Sequence, residues 1–130
     1  MSVFSSELVV GFGPAERMYV LQQALIYWSG AKPGLGTEIV VPEGFVTDFA
    51  SVPRVFWDIA PPWGWYAAAA VVHDYLYSVK GLYKGVQYTR RQCDQVLLTT
   101  MCTLAAGSVE KRRVARIFYW AVRFFGPRFS

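Results

Sequence analysis

From Ala67 to Val72 the chain reads AAAAVV, an unbroken apolar run that leads straight into its single histidine, His73. Extended to Trp63 on one side and Tyr77 on the other, this run predicts a helix whose centre is apolar all round. A helix without a polar face has to be covered on every side. A domain of 130 residues removes roughly two thirds of its extended surface from water. At that size, an element buried all round belongs at the middle of the fold. The polar residues beside it then need specific partners, because an unpaired polar group in such surroundings is costly.

Neither this run nor any other predicts a membrane span. Ile59 to Val72 carries no charge, but Pro61 and Pro62 break it near its start and His73 ends it. Gln95 to Val109 is also uncharged, yet it holds Gln95, Thr99, Thr100, Thr103 and Ser108. Both fall short of the roughly 20 apolar residues that a crossing helix needs. The N-terminus lacks the basic-then-apolar pattern of a secretory leader, so export by that route is not expected.

The chain is 54% apolar and 17% charged, with five Trp, eight Tyr and nine Phe, which is richer in apolar residues than an average soluble domain. Two explanations follow: an aromatic-heavy core, or a surface covered by a partner. The net charge of +4 is too modest to indicate nucleic acid. Cys93 and Cys102 lie nine residues apart in one predicted helix. A rise of about 13 Å keeps them from pairing, so they read as small buried apolar residues of a reducing compartment.

The rest of the chain predicts an α+β domain, with a small antiparallel sheet from the N-terminal half packed against about three helices from the C-terminal half. A single domain over 1–130 is expected. Met1 to Ala15 reads as one short strand at Glu7 to Val10 or as an arm lying across the fold. Arg17 to Trp28 is dense in β-branched and aromatic residues and predicts one strand, with Gln22 and Gln23 as a disturbance. SGAKPGLG, Ser29 to Gly36, is turn material, and Thr37 to Val41 predicts the second strand of a hairpin. Phe45 and Val46 extend the sheet briefly. Ser51, two residues before Pro53, suits the cap of a short helical turn over Arg54 to Asp58.

Ser78 to Tyr88 is expected to be a loop, after which Thr89 caps a helix reaching about Ala106. Gly107 and Ser108 separate it from a last helix, Val109 to Phe125. In that helix Val114, Phe118, Ala121 and Phe125 form the predicted docking stripe. Arg112, Arg116, Tyr119 and Arg123 form the opposite face, expected to be solvated rather than bound to phosphates.

Few polar residues sit in apolar surroundings. His73 is read either as a satisfied core imidazole or as a metal ligand or general base. Asp74 follows it immediately, and Asp48 and Asp94 lie among apolar neighbours elsewhere. Together they form a candidate His/Asp cluster. One histidine with two or three carboxylates suits a hard divalent ion better than structural zinc. The catalytic reading places Asp48, His73 and Asp94 around such an ion, which activates water for hydrolysis. Asp74 orients the site, and Ser51 or Tyr77 positions a substrate oxygen. The alternative is a buried Arg–Asp–His network with Arg54 or Arg91 as its cation. Serine catalysis through Ser51 lacks the G-x-S-x-G elbow, and Cys93 reads as packed away rather than nucleophilic. No phosphate loop or dinucleotide fingerprint occurs.

The order VPEGFVTDFASVPRVFW, AAVVHDYLY, RRQCDQVLL and a final helix ending in AVRFFG resembles the DUF1353 family of small uncharacterised proteins of tailed bacteriophages and prophages. The likeness runs from about Arg17 to Gly126. It implies that Asp48, Ser51, Pro53, His73, Asp74, Tyr77 and Asp94 are signature positions. It also implies a phage setting: expression in the host cytoplasm, either as an accessory enzyme or as a part of the virion or its assembly. In the second case the aromatic surface would meet phage structural proteins or a second copy of the chain.

Overall fold

The computed structural model describes residues 2–4, 6–15, 18–29, 38–48 and 64–125. Along the chain these form β1 (Ser2–Phe4), β2 (Val10–Phe12), β3 (Tyr19–Leu21), β4 (Leu25–Ser29), β5 (Glu38–Val41), β6 (Val46–Thr47), α1 (Ala67–Ser78), β7 (Leu82–Tyr83), β8 (Val86–Gln87), α2 (Arg90–Leu104) and α3 (Val109–Phe125). The α+β class stands, with small antiparallel sheets packed against three helices. The sheet component is split: one sheet has the order β1-β4-β5, a second β2-β3-β6, and β7-β8 form a separate hairpin. Every pairing is antiparallel.

The expected single strand over Arg17 to Trp28 is two strands, one in each sheet. Gln22 and Gln23 are exposed at the break, where their side chains bond backbone carbonyls of Val20 (3.2 Å) and Glu7 (2.9 Å). Ser6 stitches the other side of the break. Its hydroxyl donates to the Ala24 carbonyl at 3.0 Å and accepts from the Ile26 amide at 2.9 Å. The N-terminal segment is accordingly neither one strand at Glu7 to Val10 nor a plain arm, since it gives β1 to the first sheet and β2 to the second.

The β4–β5 hairpin has the predicted alternation. Leu25 faces Val41 and Tyr27 faces Ile39, and all four are buried, while Ile26 and Val40 between them are half-buried. This inner face lies against α1. In α1, Ala67, Ala69, Ala70, Val71, Val72, His73 and Leu76 are all buried, and Ala68 is half-buried. Burial on all sides is what the AAAAVV run required.

Thr89 caps α2 as predicted, in a reciprocal capping box: the Gln92 amide donates to Thr89 Oγ1 (3.1 Å) and the Thr89 amide to Gln92 Oε1 (2.9 Å). The helix ends at Leu104, and Ala106 and Gly107 turn the chain through left-handed conformations, with φ of 50° and 88°. Ser108 caps α3 through the Lys111 amide at 3.2 Å. Cys93 is fully buried and Cys102 half-buried, both as free thiols. No helix among the described residues is long and apolar enough to cross a membrane.

Two local expectations need correction. Ser78 to Tyr88 contains the β7–β8 hairpin, closed by Lys84 and Gly85 at φ of 46° and 79°. Two consecutive left-handed residues are the mark of a tight hairpin turn, and strands of two residues are too short to leave a pattern. On α3 the inner face is Ala115, Phe118 and Val122, with Phe118 against the ring of Tyr66 at 4.9 Å. This face is rotated from the predicted stripe, leaving Phe125 88% exposed and turning Arg123 inward. The expected helical turn over Arg54 to Asp58 lies outside the described residues.

Candidate functional site

Three helices each bring one part of a polar cluster into the core. His73 and Tyr77 are one helical turn apart on α1, so their side chains share a face, with ring centroids 4.2 Å apart. Asp94 lies in the second turn of α2, facing α1. Arg123 reaches in from the last turn of α3. Asp94 Oδ1 pairs with His73 Nε2 at 2.7 Å and accepts the Tyr77 hydroxyl, and Oδ2 accepts from Arg123 Nη1 at 2.8 Å.

Burial alone would push the Asp94 carboxyl up, but the hydrogen bonds from His73, Tyr77 and Arg123 outweigh it and hold the group below its ordinary value. Asp94 is therefore an anion that only accepts, and the hydrogen between it and His73 sits on Nε2. Burial is also the first reason that the Tyr77 hydroxyl is pushed up, followed by the hydrogen bond it donates to Asp94 and then by the Asp94 charge. Tyr77 stays a neutral donor. The Cys93 thiol, next to Asp94 in the chain, is pushed up to about 12, mainly by burial. It remains protonated, which agrees with the packed-away reading.

A second arginine, this one buried, supports the partly exposed Arg123. Arg90 Nη2 donates to the carbonyls of Val122 (2.6 Å) and Arg123 (2.7 Å) at the end of α3. A cation at the first position of α2 opposes that helix's own dipole. The same cation is favourable at the C-terminal carbonyls of a neighbouring helix. Arg90 thus ties the start of α2 to the end of α3 and sets the backbone from which Arg123 reaches Asp94.

On its other side His73 meets a different carboxylate. Nδ1 lies 4.0 Å from Asp74 Oδ1, and Asp74 Oδ2 accepts the Thr47 hydroxyl at 2.7 Å, linking α1 to β6. Asp48 follows Thr47 at the end of β6 and is exposed, whereas His73 is 1% exposed and Asp94 0%.

Of the residues proposed from sequence, the structure brings His73, Tyr77 and Asp94 into direct contact and places Asp74 at their edge. Ser51 and Arg54 lie outside the described residues. Arg91 is exposed, and the cation on Asp94 is Arg123, which had been assigned to the solvated face. Sequence reasoning also passed over Arg90. A basic residue at the unfavourable end of a predicted helix was the available signal.

A divalent ion needs several oxygen or imidazole ligands with free lone pairs. Both Asp94 oxygens are already engaged by donors from this chain. Among the described residues, no group of three or more His, Cys, Asp or Glu side chains is placed to hold an ion. The donor set seen here is that of a closed ionic network.

No curated protein and no solved structure matches the chain. Residues 19–122 match a family model described as protein of unknown function, DUF1353. That span includes His73, Asp74, Tyr77, Arg90 and Asp94 and ends one residue before Arg123, and it covers well over half of the sequence: the chain belongs to the DUF1353 family.

Proposed function

We propose that this chain is a non-enzymatic part of a bacteriophage particle or of its assembly, in which the His73–Asp94–Tyr77–Arg123 cluster is a structural clamp. One observation carries the reading: Asp94 is wholly buried and its carboxylate is engaged by donors from two helices besides its own. A catalytic carboxylate or imidazole has to reach substrate or water. Here the imidazole and the carboxylate face each other and are sealed. The clamp joins the three helices that carry the outward surface, so that surface is held rigid for a partner. The phage setting rests on the resemblance drawn from the sequence, and the host cytoplasm would be the place of synthesis before any incorporation into the virion.

Metal-assisted hydrolysis through Asp48, His73 and Asp94 is the competing reading, and one experiment separates the two. Tag-free protein and a His73→Ala variant are analysed for bound metal and for urea unfolding. The clamp reading expects no stoichiometric divalent ion in either, together with a large loss of stability in the variant. One ion per chain in the parent, lost in a variant that still folds, would overturn it. The assembly role is tested by mass spectrometry of purified virions and assembly intermediates of the encoding phage, where the chain should appear at fixed stoichiometry. Its absence from both would overturn that part.

A further inference from the structure

Beyond Arg91 the outward side of α2 carries no charge. From Gln92 to Leu104 the only charged residue is Asp94, which is fully buried, whereas α3 opens with Glu110, Lys111, Arg112 and Arg113, all exposed. A water-facing helix side ordinarily mixes charged and polar residues. On α2 that side presents Gln92, Gln95, Val96 and Thr99, which recur at helical spacing and so share one face. Together with Tyr27 of β4 and Tyr88, they line a groove of about 230 Å³.

The parts of this groove are held in place. The capping box orients the Gln92 side-chain amide: Oε1 accepts the Thr89 N–H at 2.9 Å, which sets Nε2, a pure donor, on the other side. The Tyr88 N–H donates to the Gly81 carbonyl at 2.8 Å, and the Tyr88 carbonyl accepts from Gln87 Nε2 at 2.8 Å. The Tyr27 ring is buried and packs against Phe4, with centroids 5.4 Å apart. Burial pushes the Tyr88 hydroxyl above its ordinary value, so it stays neutral and can both donate and accept.

We infer that this groove is a binding site for one neutral pyranose ring, the unit of a glycan. The chemistry of the lining selects that class. A pyranose has apolar C–H faces and a rim of hydroxyls that donate and accept. The tyrosines and Val96 supply apolar surface, and Tyr88, Gln92, Gln95 and Thr99 supply neutral donors and acceptors. Among the described residues no cation or carboxylate lines the groove, so nothing there pairs with a phosphate or a uronate. Size agrees with this class. Pockets for drug-sized ligands begin at about 300 Å³, and a groove below that takes one ring rather than a nucleotide. Gln92, Gln95 and Thr99 are exposed, so the ring can belong to a longer glycan that continues into solvent.

A ligand of about a dozen heavy atoms on an open site binds in the millimolar range. The inference does not depend on how the buried cluster is read, since none of its members lines the groove.

The test is heteronuclear NMR of the full chain, titrated with glucose, galactose, mannose and N-acetylglucosamine, each to about 50 mM. At least one sugar should move the amide signals of Tyr88, Gln92, Gln95 and Thr99 along a saturating curve. Gln95→Ala and Tyr88→Leu should each weaken that binding several-fold. Phe12→Ser, at an exposed aromatic of the second sheet, should leave it unchanged. Circular dichroism confirms that each variant folds. Tyr88 also packs against the core, so Gln95→Ala, at an exposed position, decides the matter if Tyr88→Leu does not fold. No response to any of the four sugars would overturn the inference, as would parental affinity in Gln95→Ala. Tighter binding of glucuronate than of glucose, or binding of adenosine in place of every sugar, would also overturn it, and would assign the groove to a charged ligand or to a nucleobase.

Discussion

His73 lies between two aspartates that differ in almost every physical respect. Asp94, on the Nε2 side, is fully buried and engaged by three donors, and it is held ionised against its own desolvation. Asp74, on the Nδ1 side, is partly exposed, stands 4.0 Å from the ring, and is tethered through the Thr47 hydroxyl to β6. A carboxylate's worth to the fold depends on what would be stranded if it were removed. Asp94, itself fully buried on α2, anchors groups from the other two helices. Asp74 joins one helix to a strand where water can substitute. The same imidazole is thus gripped on one side and only steered on the other.

The largest effect should come from Asp94→Ala. It leaves the His73 N–H, the Tyr77 hydroxyl and the Arg123 guanidinium facing a hole, and removing one member of a buried ion pair costs about 3–5 kcal/mol. Urea unfolding should show that loss as a lower midpoint with an unchanged slope. A loss under about 1 kcal/mol would mean that Asp94 is not the anchor inferred here.

The same carboxylate sets a pH dependence with a definite sign. Its folded pKa lies below its unfolded one, so its contribution is complete above the unfolded value of about 4. That contribution is lost as pH falls through the depressed folded value. Stability measured from pH 6 to pH 3 should fall in the parent and fall less steeply in Asp94→Asn. Parallel curves would remove Asp94 from the acid response.

Arg123→Ala should cost less, about 1–3 kcal/mol. It withdraws one of three donors from Asp94, and the Arg123 side chain is itself 25% exposed, where solvent already screens part of the interaction. Arg123→Lys should recover only part of the loss, because an ammonium lacks the fixed geometry of the guanidinium. Thermal unfolding of the two variants side by side checks both statements. Full recovery by lysine would reduce the interaction to bare charge.

How legible these features were in the sequence depended on how local their causes were. The central helix was readable because burial on all sides is written into six adjacent residues, and the Thr89 cap because a capping box spans only four. The gathering of His73, Tyr77 and Asp94 could be anticipated because few polar residues occur among so many apolar ones. The identity of the cation could not. Arg123 lies 29 residues from Asp94, and choosing it over Arg91 requires the rotation of α3, which depends on packing Ala115 and Val122 rather than Val114 and Phe125. The division of the N-terminal strands between two sheets was hidden for a similar reason. It depends on where Gln22, Gln23 and Ser6 find partners, not on apolar alternation.

The smallest effect tests the looser side of His73. Thr47→Val keeps the shape and burial of the β6 side chain and removes the hydroxyl donated to Asp74. Thr47 is itself buried, but the acceptor is partly exposed and can turn to water, so the cost should be about 1 kcal/mol. The effect should add to that of Arg123→Ala within a few tenths of a kcal/mol, because the two bonds share no atom and lie on opposite sides of the ring. A double-mutant cycle on urea midpoints measures this directly. Coupling well above about 0.5 kcal/mol would mean that Asp74, His73 and Asp94 act as one relay from β6 to α3, and the distinction between a gripped side and a steered side would not survive.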